Sequence, residues 1–122
     1  MSQSQEQIAD EVASLAGRYR SQEELSIYEM LERTGYVERR VALPVEAIRK
    51  ALARSPEHLR EWLEYSADKR SGGGWYVRGE NGRFEVGDLE ADGRVAERRS
   101  YSDLAEACAD FIRRELDQIA VE

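Results

Sequence analysis

The chain has 122 residues, of which 41% are hydrophobic and 35% are charged. This composition is too apolar for a disordered chain, and the length provides one hydrophobic core, so we expect a single domain over residues 1–122. The net charge of −7 argues against a general affinity for nucleic acid, because binding to the phosphate backbone depends on lysine and arginine. We therefore expect a basic protein partner.

The sequence predicts a protein that stays in the compartment where it is made. No apolar run approaches the roughly 20 residues that cross a bilayer, and the first residues lack the pattern of a secretory signal. Cys108 is the only cysteine, so no disulfide forms within the chain. Lysine occurs only at Lys50 and Lys69, which favours a GC-rich bacterial genome. We expect a bacterial cytoplasmic protein without a membrane segment.

Residues 1–67 have the three-and-four spacing of apolar residues that predicts about four α-helices. The first helix has about four turns and is weakened at its end by Gly17. Ser21 and Glu24 have the capping-box pattern that begins a second helix, and Gly35 closes it. The predicted core positions of these two helices are Ile8, Val12, Leu15, Tyr19, Leu25, Tyr28 and Leu31, with Ile27 alongside.

Two shorter helices in succession suggest a helical hairpin. The segment from Tyr36 to Leu43, which precedes them, is either a loop or a short edge strand. Pro44 has the fixed φ suited to the first turn of a third helix, and Ser55 and Pro56 begin a fourth. The predicted core positions of this pair are Val45, Ile48, Leu52, Leu59, Trp62 and Leu63.

Residues 68–74 are polar and glycine-rich, which predicts a hinge before a sheet. The segment 75–122 then contains the sheet and a last helix. Alternation from Trp75 indicates a strand, and Asn81–Gly82 predicts a type I′ hairpin turn. That turn sets three pairs across the ladder: Glu80 with Arg83, Arg78 with Glu85, and Val77 with Val86.

A second turn at 91–93 leads to a third strand that ends near Tyr101, with a bulge near Gly87. The last helix has the clearest amphipathic pattern of the chain. Its predicted core positions are Leu104, Ala107, Cys108, Phe111, Ile112, Leu116 and Ile119. The expected fold class is therefore α+β: N-terminal helices, a three-stranded antiparallel meander, and a C-terminal amphipathic helix packed on the sheet.

No residue pattern predicts a catalytic or metal site. His58 has Glu57 and Glu61 nearby but no matching nucleophile motif, which favours a solvated histidine over a general base. Cys108 lies on an apolar stripe, which favours core packing over a reactive thiolate. The glycines at 72–74 precede a strand, whereas phosphate-binding loops open a helix. We expect no enzyme activity, no metal and no cofactor.

Two acidic groups remain, one on the fourth helix and one on the second strand with its turn. Solvated faces and partner-binding surfaces have the same composition, so both interpretations stay open. Among the aromatic residues, Trp62 and Trp75 are predicted inside, whereas Tyr65 and Tyr76 are predicted to face solvent and contact the partner. The predicted partner-binding residues are Glu57, Glu61, Glu64, Tyr65, Asp68, Tyr76, Glu85, Asp88 and Glu90.

The second half of the chain carries a set of residue types in a characteristic order. They are Gly74–Trp75–Tyr76–Val77, Asn81–Gly82, Phe84–Glu85–Val86, Gly93, Tyr101, Glu106–Ala107–Cys108 and Phe111–Ile112. This set resembles the small cytosolic immunity proteins of bacterial polymorphic and contact-dependent toxin systems. The resemblance implies a stoichiometric inhibitor that covers the active site or substrate entrance of a cognate toxin, often a nuclease with a basic cleft.

Two other function classes stay open. The short helices 44–54 and 56–66 have the lengths of a helix-turn-helix, which suggests a transcriptional or nucleic-acid adaptor, although the second helix is acidic where a recognition helix is basic. A small enzyme that uses Asp68, Lys69 and Arg70 is the third class, and no spacing supports a defined reaction for it.

Overall fold

The structure is a computed structural model that describes residues 4–22, 24–39, 42–69, 74–80 and 82–121. The helices are α1 (Gln5–Ala13), α2 (Leu15–Arg20), α3 (Ile27–Thr34), α4 (Tyr36–Arg39), α5 (Val45–Arg54), α6 (Glu57–Lys69) and α7 (Leu104–Val121). The strands are β1 (Gly74–Glu80), β2 (Arg83–Leu89) and β3 (Val95–Tyr101). The predicted α+β fold is confirmed. None of the helices in these ranges combines the length and apolarity needed to cross a membrane.

The three strands form an antiparallel sheet in the order β1-β2-β3. The β1–β2 register confirms all three predicted pairs, although Asn81 of the predicted turn lies outside the described residues. The bulge lies between Asp88 and Leu89, just beyond its predicted position near Gly87. Val77 and Val86 belong to the core on the face that α7 covers, which we call the inner face. Alternation places Tyr76 and Glu85 on the outer face.

One hydrophobic core joins the helices to the inner face of the sheet. Trp62 of α6 lies at its centre, where the indole Nε1–H donates to the carbonyl of Ala13 at 2.9 Å. The Trp62 ring also meets Phe111 of α7 edge to face, with 6.0 Å between ring centroids. Trp62 therefore links the first helix, the sixth helix and the last helix in one packed layer.

Three carboxylates of α7 fasten this helix to three other elements. Each accepts a hydrogen bond from the hydroxyl of a tyrosine that lies far away in sequence or on the sheet. We call these carboxylates the α7 anchors. The pairs are Tyr36 with Asp117, Tyr65 with Glu115 and Tyr101 with Asp110, at 2.6, 2.8 and 2.5 Å.

The first predicted helix is interrupted at Ser14, which separates α1 from α2. The Ser14 hydroxyl donates to the carbonyl of Glu11 at 3.0 Å, a local bond that competes with the helix ladder. Gly17 does not end the helix but lies inside α2.

The second predicted helix starts later than expected. Ser21 ends α2 instead of capping α3. The Gln22 side-chain oxygen, rather than the Ser21 hydroxyl, accepts hydrogen bonds from the backbone N–H groups of Glu24 and Leu25. The capping box lies at Ser26 and Glu29. With this shift the predicted burial of Tyr28 is wrong, since its side chain is 38% exposed. Gly35 closes α3 in the left-handed conformation, as predicted, at φ 87°.

The open segment from Tyr36 begins with the one-turn helix α4 and is neither a strand nor an extended loop there. Tyr36 is fully buried, and its N–H donates to Thr34 Oγ1 at 3.1 Å. At the other end of the helical half, α6 continues to Lys69 and β1 begins at Gly74. The predicted hinge 68–74 is therefore too long at both ends. Residues 70–73 lie outside the described residues.

Candidate protein-binding surface

The four acidic residues of the fourth predicted helix lie on successive turns of α6, and we call them the α6 ridge: Glu57, Glu61, Glu64 and Asp68. Glu57 is exposed, and the side chains of Glu64 and Asp68 are 50% and 66% exposed. The predicted stripe is thus continuous in the folded chain.

Arginines compensate part of the ridge. Arg20 of α2 bridges Glu64 and Asp68, with 2.7 Å from its guanidinium to each carboxylate. The hydrogen bond with Glu64 raises the pKa of Arg20 above its ordinary value, against the opposing effect of burial. Arg60 lies 3.5 Å from Glu64 on the solvent side. Among the side chains that the structure describes, two arginines and His58 therefore face the four ridge carboxylates, which leaves more acidic groups than cationic partners.

Glu61 differs from the other ridge residues because it packs against α2. Its Oε1 lies 2.5 Å from Nδ1 of His58, and its carboxylate lies against Gly17 of α2, in the space that a Cβ would occupy. A larger residue at position 17 would displace this carboxylate from its present position. His58 is less solvated than expected, since its side chain is 21% exposed and its Nδ1 is bonded to Glu61.

The two tyrosines that we expected to contact a partner are both buried, so this prediction is wrong. Tyr65 is 8% exposed because its hydroxyl turns inward to Glu115. Tyr76 is 3% exposed although it lies on the outer face of the sheet. Its ring covers Gly87, the directly opposite residue on β2, where the missing side chain leaves space.

The predicted burial of the tryptophans is confirmed for Trp62 and only partly met for Trp75. Trp75 is half-buried on the inner face, and the guanidinium carbon of Arg114 lies 4.7 Å from its ring centroid.

The acidic residues of β2 do not form one surface. Glu85 lies on the outer face and Asp88 on the inner face, because successive side chains of a strand alternate. Glu90 follows β2 in the turn, with its carboxylate 3.7 Å from Arg94. These three residues therefore do not gather on one side of the second strand and its turn, although the sequence had predicted this.

The Glu85 carboxylate already has partners within its own chain. It accepts a hydrogen bond from the Tyr76 hydroxyl, and Arg78 and Arg98 lie 3.2 and 3.6 Å from it. Burial alone would raise the pKa of Glu85, but the hydrogen bond from Tyr76 and the two arginines outweigh burial and lower it.

A second acidic surface was missed in the sequence. The α5–α7 groove is a cavity of about 220 Å³. Its lining is Val45, Glu46, Arg49, Tyr101, Glu106, Ala109 and Asp110. Val45 was predicted in the core but is 40% exposed there. The signal was present, since Glu106 and Asp110 recur at helical spacing on α7.

Cys108 is fully buried in the core, and burial raises the pKa of its thiol to about 12. Within the described ranges no group of three or more His, Cys, Asp or Glu side chains is placed to hold a metal ion.

No family model matches the chain, and neither a curated protein nor a solved structure with significant similarity to it was found.

Proposed function

We propose that this protein binds and neutralises a cognate bacterial toxin, as an immunity protein or antitoxin does, in the bacterial cytoplasm. The toxin presents a basic surface around its active site or substrate entrance, as a nuclease cleft does. The observation that supports this proposal is the α6 ridge, a line of carboxylates on one helix face that, among the described side chains, two arginines only partly compensate.

The contact residues of the proposal are Glu57, Glu64 and Asp68. They are exposed, and complementary charge at such positions raises the association rate and selects the partner. Glu61 holds the ridge against α2 rather than contacting the partner. The tyrosines and the acidic residues of β2 are outside this surface for the reasons given above.

The test requires the toxin, for which the product of the gene directly upstream is the candidate. Calorimetry and stopped-flow mixing should first give a stoichiometric complex with the unmodified chain. The triple variant Glu57→Gln, Glu64→Gln, Asp68→Asn should then associate about tenfold more slowly, because steering by three charges is lost. High salt should remove most of the difference between the two proteins.

A matched control separates the ridge from net charge alone. Glu24, Glu32 and Glu38 are exposed carboxylates on and beside α3 and α4. Their triple change to Gln alters the net charge equally and should leave association nearly unchanged. Equal slowing by both triple variants would show a nonspecific charge effect and remove the ridge from the interface. Absence of any complex with the upstream toxin would contradict the proposed function itself.

A further inference from the structure

The two edges of the sheet have different environments. At the β1 edge, α6 covers the strand, and the Val77 N–H donates to Ser66 Oγ at 2.8 Å. At the β3 edge, residues 96–100 are exposed, and within the described part of the chain no strand pairs with the outer side of β3. An exposed strand edge presents unpaired N–H and C=O groups that another strand can bind.

The direction of the free backbone groups follows from the ladder. Because the Val77 N–H points towards α6, Val77 and Val86 form a non-hydrogen-bonded pair of the antiparallel ladder. Val86 then directs its N–H and C=O towards Arg99, its partner on β3. The neighbours of Arg99 alternate with it, so Arg98 and Ser100 direct their backbone groups away from the sheet.

We propose that two copies of this chain pair through β3 in antiparallel fashion, about a two-fold axis at Arg98. The result is a continuous six-stranded sheet. This register overlaps the whole of Val95–Tyr101 with its copy. It places Glu97 opposite Arg99 of the second copy, and the symmetry makes that pair twice.

The close, non-hydrogen-bonded pairs favour this register over its neighbours. An axis at Glu97 or at Arg99 would set that residue against its own copy in such a close pair, where like charges are destabilising. With the axis at Arg98, Glu97 and Arg99 occupy a non-hydrogen-bonded pair, in which side chains approach most closely. Arg98 meets its copy in a hydrogen-bonded pair, and each Arg98 keeps its own Glu85 at 3.6 Å.

The charges of β3 have a second interpretation, as groups that protect an open edge from pairing. The two interpretations differ in their response to a charge swap. We expect sedimentation velocity of the full chain over a concentration series to show a monomer–dimer equilibrium. Glu97→Arg and Arg99→Glu should each weaken the dimer by about tenfold or more, since both symmetry-related pairs become repulsive. The double variant Glu97→Arg, Arg99→Glu should restore dimerisation.

Two further variants separate pairing from damage to the fold. Within its own chain Glu97 lies 3.4 Å from Arg99 and accepts a hydrogen bond from Arg114 at 3.1 Å. The double variant keeps opposite charges at positions 97 and 99 of one chain but loses the contact with Arg114. Ser100→Pro removes an outward N–H that β2 does not use, so it should give a monomer with an unchanged circular dichroism spectrum. Glu90→Arg changes the net charge as Glu97→Arg does and should leave the dimer intact. A monomer at every concentration, or a dimer indifferent to the swaps, would overturn the proposal.

Discussion

The α7 anchors and the α6 ridge consist of the same residue types on two helices, but their spacings and their surroundings differ. Glu115 of the anchors is 4% exposed and accepts a buried tyrosine hydroxyl. Asp68 of the ridge has a side chain that is 66% exposed and lies against one arginine. A buried polar group deprived of its partner is costly, whereas an exposed one returns to water. The anchors therefore stabilise the fold, and the ridge keeps charge that a second protein can use.

The largest expected effect is on the anchors. Glu115→Ala leaves the Tyr65 hydroxyl without its acceptor and opens a cavity between α6 and α7, so we expect a loss of about 3 kcal/mol in the free energy of unfolding. Urea denaturation followed by circular dichroism measures it. Tyr65→Phe removes the hydrogen bond without the cavity and should cost about 1.5 kcal/mol.

The ridge supplies the matched comparison for this measurement. Glu64→Gln lies on the exposed side of α6, next to Tyr65 in sequence, and should change the unfolding free energy by no more than about 0.5 kcal/mol. If Glu115→Ala costs no more than Glu64→Gln, the distinction between anchor and ridge is wrong.

The second prediction concerns alkaline pH. Burial, followed by the hydrogen bond with Asp110, raises the pKa of Tyr101 to about 12 from its ordinary value of 10.0. Burial and Glu115 raise the pKa of Tyr65 in the same direction. Above the ordinary tyrosine pKa the unfolded chain binds fewer protons than the native chain, so stability falls as pH rises. Each such tyrosine contributes a slope of about 1.4 kcal/mol per pH unit.

Tyr101→Phe tests the slope. Between pH 10.0 and about 12 the free energy of unfolding of the variant should fall less steeply with pH, by the slope that one tyrosine contributes. Near neutral pH the variant and the unmodified chain should have the same slope. Urea titrations at several pH values give the slopes. If the free energy of unfolding of the variant falls as steeply as that of the unmodified chain, Tyr101 ionises at the same pH in the folded and the unfolded state.

The sheet was predictable because its determinants are local. The Asn81–Gly82 sequence predicts a register in which Arg78 lies opposite Glu85, and that pair is observed, so one short segment was enough to predict the hairpin. The start of α3 was not predictable in this way. Two serines, Ser21 and Ser26, are each followed three residues later by glutamate, and the Gln22 side chain decides between them.

The exposure of the candidate contacts depends on partners far along the chain. The periodicity of α6 shows on which side of the helix Tyr65 lies. It does not show that the Tyr65 hydroxyl finds a buried acceptor in Glu115, which is 50 residues away in sequence. Tyr76 is covered although its strand position faces outward, because the residue opposite is Gly87. The carboxylates of α6 were placed correctly as a stripe, since helical spacing alone determines a stripe. Their arginine from α2 was not foreseen.

The smallest effect on stability is expected for Arg20→Gln, which should nevertheless change binding. Arg20 lies at the surface between Glu64 and Asp68, and exposed ion pairs contribute little to stability because water and salt screen them. Unfolding by urea should therefore be almost unchanged. The same substitution removes the arginine that bridges Glu64 and Asp68 and leaves Glu64 with Arg60 alone. A basic toxin should then associate about threefold faster at low salt, because the attracting charge has increased. If Arg20 instead served to position the ridge for its partner, the variant would bind more weakly. The sign of the change in association rate thus decides whether Arg20 masks the proposed surface or builds it.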